Sequence, residues 1–108
     1  MKVLILEANL LWSTKVARML AASGIETEVR SAVPSESDAM IAIINLGERT
    51  PVEIESLKQM GMKILAHAGH KETELLDLGK ATGCDRIATN SAIAHKLPQI
   101  LQEMMGEG

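Results

Sequence analysis

The stretch that most limits how this chain can fold is residues 39–47, Ala-Met-Ile-Ala-Ile-Ile-Asn-Leu-Gly. It is a continuous apolar run of strand length that meets its first polar group at Asn45 and passes into the polar loop Gly47-Glu48-Arg49-Thr50. A half-exposed strand would alternate apolar and polar residues. An unbroken run between turn signals predicts a strand buried on both faces of a parallel sheet. Such a sheet places its chemistry just beyond the carboxyl ends of its strands. Asn45 is therefore the first place to look for a functional group.

The rest of the chain supplies the matching elements. Residues 2–6, Lys-Val-Leu-Ile-Leu, read as a buried strand that ends at Glu7-Ala8-Asn9, with Asn9 placed to cap a helix. Residues 10–23 have helical spacing, with Trp12, Val16, Met19 and Leu20 on one face and Lys15 and Arg18 on another. Gly24 stops that helix, and residues 25–30 read as a second strand of alternating character. Residues 31–38 hold Pro34 and small polar groups. A parallel crossover takes about a dozen residues or more, so a shortened second helix or a loop is expected there.

Thr50-Pro51-Val52-Glu53 combines a capping box with proline at the first helical position, which predicts a helix over residues 51–60. A strand over 62–68 follows, then a helix over 72–82 with Leu75, Leu76 and Leu78 inward. A short strand over 85–88 and a helix over 91–105 complete the pattern. Pro98 is expected to interrupt that last helix, with a second segment starting near Leu97, and residues 106–108 are expected to fray. Gly24, Gly61 and Gly83 each stop a helix directly before a strand. Five strands alternating with helices predict one α/β domain over residues 1–108. Its architecture is a flavodoxin-like doubly wound parallel sheet of order 2-1-3-4-5, with a shortened second helix.

Charge and composition exclude several functions. The net charge of −3 gives no clustered cationic surface for nucleic acid, and with no Phe or Tyr and one Trp there is no platform for stacked bases. No apolar run reaches the roughly 18 residues of a membrane span, so no membrane partner is expected. Met1-Lys2 leads straight into a strand, and Cys84 is the single cysteine, which together predict a reducing, cytoplasmic location.

The strand ends gather Glu7, Ala8, Asn45, His67 to His70, and Thr89-Asn90-Ser91. Here the segments Val-Leu-Ile-Leu-Glu-Ala-Asn, Ile-Ile-Asn-Leu, Lys-Ile-Leu-Ala-His-Ala and Gly-Cys-Asp-Arg-Ile-Ala-Thr-Asn-Ser resemble, in order and spacing, the strand ends of response-regulator (CheY-like) receiver domains. The stretch from Gly69-His70 through Thr73-Glu74-Leu75-Leu76 to Leu97-Pro98 is similar to small, divergent stand-alone members of that group. In the family, an acidic pair binds Mg²⁺, an Asp accepts a phosphoryl group, and a hydroxyl and a Lys complete the site. The resemblance places the acidic pair at Glu7 and Ala8, the acceptor at Asn45, the hydroxyl at His67 and the Lys at Asn90. An amide is no nucleophile toward phosphorus and a poor ligand for a hard cation, and with Ala8 only Glu7 remains of three carboxylates. The resemblance thus implies a pseudo-receiver that lacks the phosphoacceptor Asp, with a degenerate pocket of Glu7, Ala8, Asn45, His67 and Asn90.

Plainer roles stand beside these. Asn45 is expected to bond the neighbouring loop, and Glu7 is either a solvated acid or an acceptor of bonds from Asn45 or Asn90. His67 is expected to be a partly buried imidazole titrating near neutral pH. His67 and His70 are too few for a metal site, and Cys84 reads as a small core residue. Glu53 and Glu48 disfavour an anion at the helix start near Thr50. The expected function is a phosphorylation-independent signalling module, not an enzyme, with no cofactor and no metal. It would contact an unidentified signalling protein, or a second copy as a homodimer, through a face of Leu76, Lys80, Ile93, Lys96 and Ile100. The alternative is a small-molecule or metal sensor using the altered pocket.

Overall fold

A computed structural model describes residues 1–106. In chain order the elements are β1 (Lys2–Leu6), α1 (Leu10–Ala22), β2 (Glu26–Arg30), β3 (Ile41–Asn45), α2 (Pro51–Gln59), β4 (Lys63–Ala68), α3 (Thr73–Ala81), β5 (Arg86–Thr89) and α4 (Asn90–Gly106). All strand pairings are parallel, and the sheet order is β2-β1-β3-β4-β5. This is the flavodoxin-like, receiver-type arrangement. None of the described helices is long and apolar enough to cross a membrane.

The apolar runs of β1, β3 and β4 are buried on both faces, as their lack of alternation predicts. Val3, Ile5, Ile41, Ile43 and Leu65 face α1 and α4, where they meet Val16, Leu20, Ile93, Leu97 and Leu101. Leu4, Leu6, Ala42, Ile44, Ile64 and Ala66 face the other way, toward Ile54 and Leu57 of α2 and Leu75 and Leu76 of α3. At Gly79 the helix α3 comes close to the sheet: a Cβ there would lie 3.1 Å from Leu46 Cδ1 and 3.2 Å from Ile87 Cδ1. Helix ends follow their sequence signals. Asn9 Oδ1 accepts the Trp12 amide at 3.2 Å, and the Thr50–Glu53 capping box forms at 3.2 and 2.9 Å. Gly24, Gly61 and Gly83 have φ of 75°, 91° and 75°, the left-handed turn that glycine adopts without strain.

Three expectations are corrected. First, the shortened second helix is absent: of the two expected alternatives the connection from β2 to β3 is the loop, irregular over residues 31–40. The register explains how the sheet tolerates this. Glu26, Glu28 and Arg30 are paired with Lys2, Leu4 and Leu6, so they share the face that a helix would have covered. Their charges suit solvent, and Lys2 Nζ sits 2.7 Å from Asp38 and 3.9 Å from Glu28, with Arg30 Nε 2.9 Å from Glu28. Val33 and Ala39 of the connection pack against the core beneath.

Second, α4 runs unbroken through Pro98, and Gly106 belongs to it; Glu107 and Gly108 lie outside the described residues. A proline inside a helix costs about 3 kcal/mol. A break at Leu97 would redirect Ile100, Leu101 and Met104, all buried, each worth about 1.5–3 kcal/mol. Burial wins.

Third, the expected contact face loses two of its members. Ile93 and Ile100 are 0% and 5% exposed and belong to the core between α4 and the sheet, while Leu76 is half-buried. Lys80 and Lys96 remain exposed, so the face around β5 is polar, with Arg86 and Glu103 paired across it at 2.9 Å.

Replacing Pro98 by Ala restores the missing backbone donor and should raise the unfolding free energy by about 2 kcal/mol in chemical denaturation. An unchanged or lower value would show that proline's fixed φ matters to this helix. Ile100→Glu places an uncompensated charge in the core and should cost about 3–5 kcal/mol, a loss of folding rather than of association.

Candidate functional site

Because β1, β3 and β4 are neighbours, the polar residues that end them form a row. Glu7 follows β1 directly, and Asn45 and His67 are register partners. The fourth member arrives through an unexpected helix start. Thr89 Oγ1 accepts the Ala92 amide at 3.2 Å, as an N-cap does, so α4 begins with no linker after β5. Asn90 is thereby freed from capping, and its Oδ1 lies 2.7 Å from His67 Nδ1. Glu7, Asn45, His67 and Asn90, with Asn9 and Trp12, line one cavity of about 180 Å³. Ala8 is exposed and lies outside that lining; it contributes only its backbone N–H.

Glu7 is 4% exposed, so it is not a solvated acid. Its Oε2 accepts the Asn9 amide at 3.0 Å and its Oε1 accepts Asn45 Nδ2 at 3.4 Å. Asn45 Oδ1 in turn accepts the Gly47 amide at 3.0 Å, closing the start of the loop. Glu48, three residues beyond Asn45, folds back so that its carboxylate accepts the Ala8 amide at 3.1 and 3.4 Å. There its carboxyl stands beside that of Glu7. Burial works to raise the Glu7 pKa, but the bonds from Glu48, the Asn9 amide and Asn45 outweigh it and hold Glu7 below the ordinary carboxylate value. The bond to Glu7, reinforced by burial, pushes Glu48 up. The two neighbouring carboxyls are thus pushed apart, Glu7 toward the ionised and Glu48 toward the neutral form.

His67 is 2% exposed and stacks on Trp12, with ring centroids 4.5 Å apart and planes at 24°. Since Asn90 Oδ1 can only accept, Nδ1 carries the ring hydrogen and Nε2 presents a lone pair. That Nε2 is buried and has no hydrogen-bond partner. Burial lowers the His67 pKa against the opposing pull of Asn90 and Glu7, so the ring is neutral near pH 7. It is more buried, and less basic, than the sequence suggests.

Three participants escaped the sequence reading. Asn9 donates its amide to Glu7 as well as capping α1, and Trp12 is a wall of the cavity as well as a packing residue. Glu48 supplies a second carboxylate beside Glu7. The adjacency of β1 and β3 was the available signal, because it brings their following loops side by side. Other candidates lie elsewhere. His70 and His95 are exposed and do not line the cavity, and Cys84 is half-buried against the core, its thiol pushed up by burial. Among the described residues no three His, Cys, Asp or Glu side chains are grouped to hold a metal ion.

No protein-family model and no curated protein matches the sequence. Solved structures do match the fold. The chain is similar to a two-component response regulator from Clostridium difficile, at TM-score 0.82 and 10% identity, over 96% of this chain and 94% of that one. It is similar to the chemotaxis response regulator CheY4 of Vibrio cholerae, at TM-score 0.79 and 16% identity, over 95% and 97%. The receiver domain of the Francisella response regulator 1452 gives TM-score 0.78 and 13% identity, over 99% and 98%. At these identities the likeness shows the fold: this chain has the receiver-type α/β architecture from end to end of its described residues.

The acid pair makes stability depend on pH in a defined direction. A carboxyl whose pKa is raised on folding contributes stability that is full below the ordinary value of 4.5 and is lost as pH rises through its folded value. Glu48→Gln keeps a donor toward Glu7 and an acceptor for Ala8 without ionising. The variant should therefore gain on the parent by about 1 kcal/mol at neutral pH, and the gain should shrink toward pH 4.5. Urea titrations at both pH values measure it, and a gain that grows on acidification would contradict the raised Glu48 pKa.

Proposed function

We propose that this chain is a phosphorylation-independent receiver-like module that acts through protein–protein contacts in bacterial signal transduction. The single observation that carries this reading is the state of the cavity at the strand ends. Asn45 ends β3, the position that a phosphoryl acceptor takes in the receiver family, and its amide is committed to Glu7 and Gly47. Asn90 stands at the Lys position and binds His67, so no cation is there to pair with a phosphoryl oxygen. His67 stands at the hydroxyl position, sealed under Trp12.

The residues present do not fit the Mg²⁺ that the family uses. Glu7 accepts two nitrogen donors, and Glu48 accepts the Ala8 amide. A hard dication would have to displace all of these with one amide as its third ligand. With an amide in place of an acceptor carboxylate at the end of β3 and no nucleophile beside the His67 lone pair, the chain is read as a non-enzyme.

Signalling then rests on surfaces. Leu10, Leu11 and Val52 are 73%, 87% and 79% exposed, and they sit on the first turns of α1 and α2 at the same carboxyl edge of the sheet as the cavity. With Ile93 and Ile100 in the core, these are the apolar side chains that this edge offers to an unidentified signalling partner or to a second copy. A second reading, the sensing of a small molecule or metal, draws on the unpartnered His67 Nε2. A thermal-shift series with divalent metals and nucleotides tests it, and a rise in melting temperature with one of them would favour it.

Incubation with acetyl phosphate and Mg²⁺ followed by intact mass measurement should leave the mass unchanged. An acid-labile phosphoryl adduct would overturn the proposed function. If the protein self-associates through the first turn of α1, Leu11→Glu should shift its sedimentation profile to the smaller species. An unchanged profile would place that contact elsewhere.

A further inference from the structure

His67 leaves a polar atom unused in the driest part of the site. Its Nε2 lone pair is buried without a partner, while one ring face is covered by Trp12. Trp12 belongs to the first turn of α1, where it packs against the core and where Ser13 Oγ donates to the Leu10 carbonyl at 3.2 Å. Asn9 caps it through the Trp12 amide and Ser13 is buried beneath it, but Leu10 and Leu11 stand in solvent.

We propose that His67 is an acid-sensitive catch for the first turn of α1: the neutral ring keeps Trp12 seated, and a proton taken up at Nε2 releases Trp12 and exposes that nitrogen to water.

The argument is one of accommodation. A proton from solvent adds to the Nε2 lone pair, no bond breaks, and the ring becomes a cation whose new N–H has no acceptor in place. A buried charge of this kind must be paired or hydrated. The charged groups facing the ring are few. From β1 comes Glu7, whose oxygens already accept from Asn9 and Asn45, and behind it stands Glu48 from the loop after β3. Packed against the ring, α1 offers Trp12, β3 offers Asn45 and α4 offers Asn90, none of which titrates. The register neighbour on β5 is Ala88. Pairing is therefore incomplete from every side, and hydration is the remaining way to hold the charge. Water reaches Nε2 when the indole moves. Burial outweighs the favourable pull of Asn90 and Glu7, so the protonated ring is disfavoured while Nε2 stays covered. The moving turn carries Leu10 and Leu11, so acid would alter the apolar surface at the rim of the cavity. This inference stands whether or not the chain takes up phosphate.

Trp12 is the single tryptophan, so its fluorescence reads the catch directly. Between about pH 7.5 and pH 4.5 the emission maximum should move to the red and acrylamide quenching should rise, with one midpoint below the ordinary histidine value. Far-UV circular dichroism should stay constant. His67→Phe keeps a ring under the indole and cannot titrate, so its emission should be flat over the same range. A red shift that survives His67→Phe would overturn the catch. So would a wild-type emission that stays flat, or one that dims without shifting, which is the mark of a cationic ring still stacked. Should His67→Phe fail to fold, the Nε2 chemical shift of the wild-type protein gives the protonation midpoint. A mismatch between that midpoint and the fluorescence midpoint would equally overturn the proposal.

Discussion

The structure depends on one constraint: its three central strands are dry on both sides. Between Val3 and Leu6, Ile41 and Ile44, and Ile64 and Ala66, every side chain is apolar and buried. Backbone groups are satisfied by the parallel ladders, and helices must lie on both faces to complete the burial. Polar side chains are admitted only where the strands end, which is why Glu7, Asn45 and His67 stand in a row. The same constraint makes that row demanding. Each of these groups adjoins the apolar body of the sheet, so its bonds must come from its neighbours rather than from bulk water.

Neighbours meet that demand with amides. Glu7 has no lysine or arginine partner among the described residues; its charge rests on the Asn9 N–H and the Asn45 amide, with Glu48 beside it. Asn90 orients the imidazole, and Trp12 covers it. A pocket built from such neutral donors and acceptors has little use for an anion. It also holds its loops in a single arrangement, because the Ala8 amide ties the end of β1 to the loop after β3 through Glu48.

How far the sequence revealed this varied with the range of the interaction. The strand runs, the glycine stops and the Thr50–Glu53 box are local signals, and they located most elements to within a residue or two. Pro98 is also a local signal, and it misled, because three buried side chains beyond it outweighed the lost donor. The row of strand-end residues was legible from topology, since strand order decides which ends are adjacent. Glu48 and Trp12 were not legible, because a loop's return path and an indole's tilt depend on packing that no spacing encodes. Ile93 and Ile100 failed for a related reason. A helix lying on a sheet hides more of its apolar side chains than a surface reading grants it.

The connection from β2 to β3 has a consequence for how the molecule could vary. Residues 31–40 cross the sheet with no helix of their own, over a strand face already surfaced by Glu26, Glu28 and Arg30 and tied down by Lys2. The core depends on this segment for little beyond Val33 and Ala39. Each doubling of such a loop costs only about 0.6 kcal/mol in closure entropy. The seam is thus where the chain can grow or shrink most cheaply. A relative could acquire a longer crossover, or an inserted peptide, there without disturbing the two packed layers or the strand-end cavity beside them.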